Sequence, residues 1–96
     1  MSEFKVLTKD EVAFVFESFE LVRTDLKDIS VLEMVQKFKT IGWLIMARTK
    51  IDGKYKRVGI AHKQLNKPIF FEDKKDADLY AKKARQLLKE ELKHKN

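Results

Sequence analysis

Cysteine is absent, proline occurs once and glycine three times among 96 residues. Without cysteine there is no disulfide, no thiolate metal site and no cysteine nucleophile, so so short a chain must be held by packing or by association. With 44% hydrophobic and 38% charged residues, the scarcity of proline and glycine also excludes collagen-like repeats and low-complexity linkers. No run nears the ~18 unbroken apolar residues of a membrane-spanning helix. Met1-Ser2-Glu3-Phe4-Lys5 lacks the charged-then-apolar order of a secretory signal. A single globular domain over residues 1–96 is expected, cytoplasmic and with no membrane partner.

Catalytic equipment is equally thin. There are two histidines, His62 and His94, and neither has ligand spacing to the other. His62 reads as a half-buried sheet residue. Asp73, Asp76 and Asp78 open a helix, where carboxylates cap amides and oppose the dipole, and the calcium-loop pattern is missing. Glycines at 42, 53 and 59 form no phosphate-cradling loop. No catalytic residue, metal or cofactor is expected, and the chain reads as a non-enzyme.

What is present in excess is positive charge. The net charge is +6, unevenly spread. Residues 1–42 hold six Lys/Arg against eight Asp/Glu, and residues 43–96 hold fifteen against seven. Between Trp43 and Lys67 stand Arg48, Lys50, Lys54, Lys56, Arg57, Lys63 and Lys67 against Asp52 alone, +6 in 25 residues. Charge concentrated in this way attracts polyanions.

Local patterns divide the chain into elements. Thr8-Lys9-Asp10-Glu11 has capping-box spacing, predicting a helix over 9–23 with Val12, Val15, Phe16, Phe19 and Val22 on one stripe and Phe14 and Leu21 on the far side. The Phe and Val content leaves a strand open as an alternative. Ser30-Val31-Leu32-Glu33 repeats the capping spacing. Val31, Met34, Val35 and Phe38 share an arc before Gly42, predicting a second helix over 31–40. Two β-favouring runs, 43–51 and 54–62, flank Asp52-Gly53, the sequence of a type I′ hairpin. Ile69-Phe70-Phe71 follows Pro68 as a third strand over 69–72, and a helix over 74–93 has Ala77, Tyr80, Ala81, Ala84, Leu87, Leu88 and Leu92 on one face. The expected class is α+β: a three-stranded antiparallel sheet against a long C-terminal helix, with one or two N-terminal helices.

The Asp52-Gly53 turn fixes cross-strand partners. One face pairs Ile51 with Lys54, Thr49 with Lys56, Ala47 with Val58, Ile45 with Ile60 and Trp43 with His62. The other pairs Lys50 with Tyr55, Arg48 with Arg57, Met46 with Gly59 and Leu44 with Ala61. Arg48 opposite Arg57 is a like-charge pair that works against folding, and an anion between them would reverse its sign. Tyr55 could stack a base or shield the Lys50 stem. Edge lysines also keep strands from pairing with neighbours, the plain structural use of such a cluster. Lys74 and Lys75 stand in the first turn of the last helix, where backbone amides can hold a phosphate.

Helix, three strands, helix is similar to the element order of double-stranded-RNA-binding domains, and Lys74-Lys75-Asp76-Ala77-Asp78 resembles the lysine-rich opening of their last helix. That resemblance implies lysines on RNA phosphates. Asp78 departs from it, standing where the family usually has lysine, and Phe70-Phe71-Glu72 replaces the glycine-containing approach. No family is assigned.

Two functions follow as expectations. One is nucleic-acid binding, RNA or DNA, by Arg48, Lys50, Lys54, Tyr55, Lys56, Arg57, Lys63, Lys67, Lys74 and Lys75. The other is a small regulator or inhibitor docking on a larger protein, or a homodimer, through the Phe14 and Leu21 stripe. An acidic protein surface would also satisfy the charges.

Overall fold

Thr8 starts the first helix as its spacing requires. Its Oγ1 accepts from the Glu11 amide at 3.3 Å while the Glu11 carboxylate accepts from the Thr8 amide at 3.1 Å, closing a capping box. The computed structural model describes residues 7–19, 25–62 and 64–94, the last four as backbone only. In it α1 spans Lys9–Glu17, shorter than the 9–23 expected. Ser18 ends it, with its amide and hydroxyl both donating to the Phe14 carbonyl. A hydroxyl competing for the backbone favours a stop there.

The helix expected over 31–40 is absent. That segment belongs to β1, Lys27–Gln36, followed by a turn at Lys37-Phe38 into β2, Lys39–Ile51. β-branched Ile29, Val31 and Val35 recur at period two, and pairing along β2 rewards that alternation where a helix would not. Phe38, expected on an apolar helix arc, is fully exposed at the turn. With a strand here, the helix that precedes the three antiparallel strands is α1 and not the expected 31–40 segment, and further short strands stand between those three and the last helix.

β2 is the hub. On one side it pairs β1. On the other it pairs β3, Lys54–Gly59, in the register counted from the turn, Ile51 with Lys54 through Met46 with Gly59. Asp52 and Gly53 have φ of 52° and 82°, as a type I′ turn requires. The hairpin does not run on to His62. Ile60 donates to the Ile45 carbonyl and Ile45 to the Ile69 carbonyl, both at 3.0 Å. Between Ile60 and Ile69 the chain leaves the sheet as a two-stranded ribbon, β4 (Ala61–His62) with β5 (Lys67–Pro68). β6, Phe70–Phe71, then occupies the places on β2 expected of Ala61 and His62: Leu44 faces Phe70 and Trp43 faces Phe71. Both phenylalanines are wholly buried, and two rings bury about 150–250 Å² each, which Ala61 and His62 could not match. The third strand expected over 69–72 is thus reduced to Phe70–Phe71.

α2, Lys74–His94, lies on one face of the sheet. Ala77, Tyr80, Ala81, Ala84 and Leu88 are buried against Ile29, Ile45, Ala47, Ile69 and Phe71, with Val15 of α1 in the same cluster. Small alanines let the helix approach closely. Phe16, Phe19, Phe71 and Tyr80 fill the gap between the helices, with the Phe19 and Tyr80 centroids 4.7 Å apart. Burial pushes the Tyr80 hydroxyl up to about 12.

Candidate nucleic-acid interface

Side chains alternate across a strand, so the buried Ile45, Ala47 and Thr49 place the odd positions of β2 toward α2. The even positions, Arg48 and Lys50, then project from the opposite face, together with their β3 partners Arg57 and Tyr55. All four are exposed. Lys54 and Lys56 are exposed too but pair with Ile51 and Thr49, so they turn to the helix side near the tip. Of the five hairpin cations, three share a face and two do not.

β1 adds residues that sequence reasoning missed. Lys27 pairs with Arg48 and extends its Nζ over the Tyr55 ring, 4.9 Å from the centroid. Asp28 and Ile29 form a bulge opposite Ala47, with Asp28 at φ 52°. From there the Asp28 carboxylate makes an ion pair with Arg48, both side chains more than half exposed. Ser30 Oγ accepts from Arg57 Nη2 at 3.4 Å. Both arginines are therefore steered by β1. Exposed ion pairs contribute about 0–1 kcal/mol, so Asp28 orients Arg48 without withdrawing it from an incoming anion. The bulge is held from behind by Arg85, whose Nε and Nη2 both donate to the Ile29 carbonyl, at 3.0 and 2.7 Å. The cluster thus carries Lys27, Arg48, Lys50 and Arg57 against Asp28, and no described carboxylate pairs with Lys27, Lys50 or Arg57.

The remaining candidates disperse. Lys67 does not join the cluster. Its Nζ bonds both oxygens of Glu11, at 3.1 and 2.9 Å, clasping the ribbon to α1. Those bonds, with the Thr8 amide, hold the Glu11 carboxyl below its ordinary range. Lys74 and Lys75 are exposed, but their helix begins just after Phe71, opposite Trp43. Five residues of strand, ~17 Å, separate Trp43 from Arg48, so these lysines lie apart from the arginines. Lys63 and Leu21 lie outside the described residues. Phe14 is not the open anchor expected: it is half-buried with its ring 5.3 Å from that of His62.

His62 stands against α1 rather than beside Trp43. The Leu65 amide donates to its Nδ1 at 3.4 Å, and its Nε2 lies 3.5 Å from Ser18 Oγ. These contacts suit a side chain that joins the ribbon to the helix. Among the described residues no three His, Asp or Glu side chains gather as metal ligands, and no helix is long and apolar enough to cross a membrane.

No family model, no curated protein and no solved structure matches this chain. What fold and surface define together is a class, an α+β domain whose sheet is helix-covered on one face and cationic at one exposed end of the other.

Proposed function

We propose that the protein binds nucleic acid, RNA or DNA, through phosphate contacts from the exposed end of its sheet, without performing chemistry on it. The observation that carries this reading is the gathering of Lys27, Arg48, Lys50 and Arg57 on one exposed face around Tyr55, with Asp28 the one described carboxylate bonded among them. Arg48 directly opposite Arg57 is a like-charge pair that costs up to ~1 kcal/mol, which the exposed Asp28 offsets only at Arg48. A phosphate between the two guanidiniums turns that cost into paired charge-assisted hydrogen bonds.

The test is retention on labelled oligonucleotides of wild type beside an Arg48→Glu/Arg57→Glu variant. Both side chains are exposed, so the variant keeps its fold. It loses binding by tenfold or more, while Asp28→Asn, which removes the one described negative charge bonded in the cluster, tightens it. Unchanged binding in the double variant removes the hairpin from the site and refutes the reading. The alternative, docking on a protein through Phe14 and Leu21, has Phe14 as its one described residue, half-buried with its ring 5.3 Å from that of His62. An acidic protein partner answers to the same charges and would show itself by binding of wild type to that protein and not to oligonucleotide.

A further inference from the structure

The turn at the other end of β2 is made of residues the fold does not ask for. Lys37 and Phe38 hold φ of 51° and 67°, a conformation that two-residue turns normally give to Asn-Gly or Asp-Gly, as Asp52-Gly53 does elsewhere in this chain. In that region the Cβ of an L-residue crowds the following carbonyl oxygen, so the turn carries strain. Nothing in the packing compensates. Phe38 is 103% exposed, and its neighbour Val35 is 56% exposed. A strained position occupied by a ring wholly in water points to contact with something outside the chain.

The surroundings narrow what that something is. Lys37 and Lys39 flank the ring, and both are exposed. One ring and one valine fall far short of the ~800 Å² per partner of a stable protein interface. They match what a single unpaired base offers: a π-face for stacking, with phosphates on either side for two ammonium groups. Tyr55 differs, since Lys27 already occupies one face of its ring. Both faces of Phe38 are free for a base.

Resting on the nucleic-acid reading above, we infer that Phe38 is a stacking platform for an unpaired base, with Lys37 and Lys39 on the adjoining phosphates, so that the ligand class is single-stranded nucleic acid. Phe38 lies ten residues along β2 from Arg48, ~33 Å at strand rise. A strand long enough to engage both ends gains by multivalency. Bases inside a duplex are already stacked and cannot use the ring.

The experiment measures affinities for a 20-nucleotide oligothymidine and for a duplex of the same length, with wild type, Phe38→Ala and Phe38→Tyr. Phe38 is fully exposed, so neither substitution threatens the fold. Phe38→Ala weakens single-strand binding by about 5- to 150-fold, the effect of one lost base stack, and leaves duplex binding and the salt dependence of both in place. Phe38→Tyr restores the single-strand preference. Equal loss on both forms, or no loss on either while wild type binds, overturns the inference and leaves the nucleic-acid reading standing. The second of these hands the tip to a protein partner. Failure of wild type to bind either oligonucleotide overturns that reading itself.

Discussion

Replacing Lys37-Phe38 by Asn-Gly should stabilise the protein while deleting the most exposed ring among the described residues. Each L-residue held in the left-handed region costs about 1–2 kcal/mol, and the turn holds two, at φ 51° and 67°. Asparagine relieves part of the cost and glycine nearly all, against which the glycine's greater unfolded-state freedom takes back about 0.5–1 kcal/mol. No buried area is forfeited, because Phe38 is 103% exposed. A net gain of about 1–2 kcal/mol corresponds to a rise of about 5–15 °C in Tm for a domain of this size. Trp43, the one tryptophan, packs against the core and reports unfolding by its fluorescence. Urea titration should show a higher midpoint at unchanged slope. An equal or lower midpoint would refute the argument, showing that the turn is not strained or that the ring is covered in solution.

Of the three glycines, Gly42 has the least room for a side chain: a Cβ there would sit 2.5 Å from Phe70 Cε1 and 2.7 Å from the Phe71 carbonyl oxygen. Gly42→Ala should cost at least the ~1–3 kcal/mol of an overpacked core, since a backbone oxygen cannot rotate aside; thermal unfolding followed by circular dichroism checks this. Tyr80 makes the fold sensitive to base. Its ionised form is disfavoured in the folded state, with the hydroxyl raised from 10.0 to about 12, so this group leaves stability untouched below pH 10. It withdraws about 2–3 kcal/mol as pH rises from 10 to 12. Tyr80→Phe should lose less stability than wild type over that window in chemical denaturation at each pH, and parallel losses would contradict the assignment.

Where the chain's own local chemistry decides, its residues are readable. The Asp52-Gly53 turn set the register that brings Arg48 opposite Arg57, the Thr8 and Glu11 spacing set the start of α1, and the apolar arc of α2 set the face that is buried. Where distant partners decide, local patterns mislead. Ser30 to Glu33 has the spacing of a helix cap and Val31, Met34, Val35 and Phe38 have helical spacing, yet pairing with β2 outweighs both. The period-two recurrence of Ile29, Val31 and Val35 was the signal for the strand. Misplacing that strand hid Lys27, Asp28 and Ser30, the residues that orient the hairpin arginines. Lys67 was counted as a free cation because its partner, Glu11, lies 56 residues away and no local pattern joins them. The hairpin's end at Gly59 was equally invisible. Only the burial of Phe70 and Phe71 on β2 displaces Ala61 and His62.

Salt titration of wild-type affinity for single-stranded and duplex oligonucleotides tests the electrostatic claim most directly. Four phosphate contacts, from Lys27, Arg48, Lys50 and Arg57, give log affinity against log salt a slope of about −3.6 on duplex, and on single strands the two further contacts of Lys37 and Lys39 make it about −4.2. A slope near zero, or no measurable binding at low salt, would contradict the claim that these side chains gather to hold a polyanion.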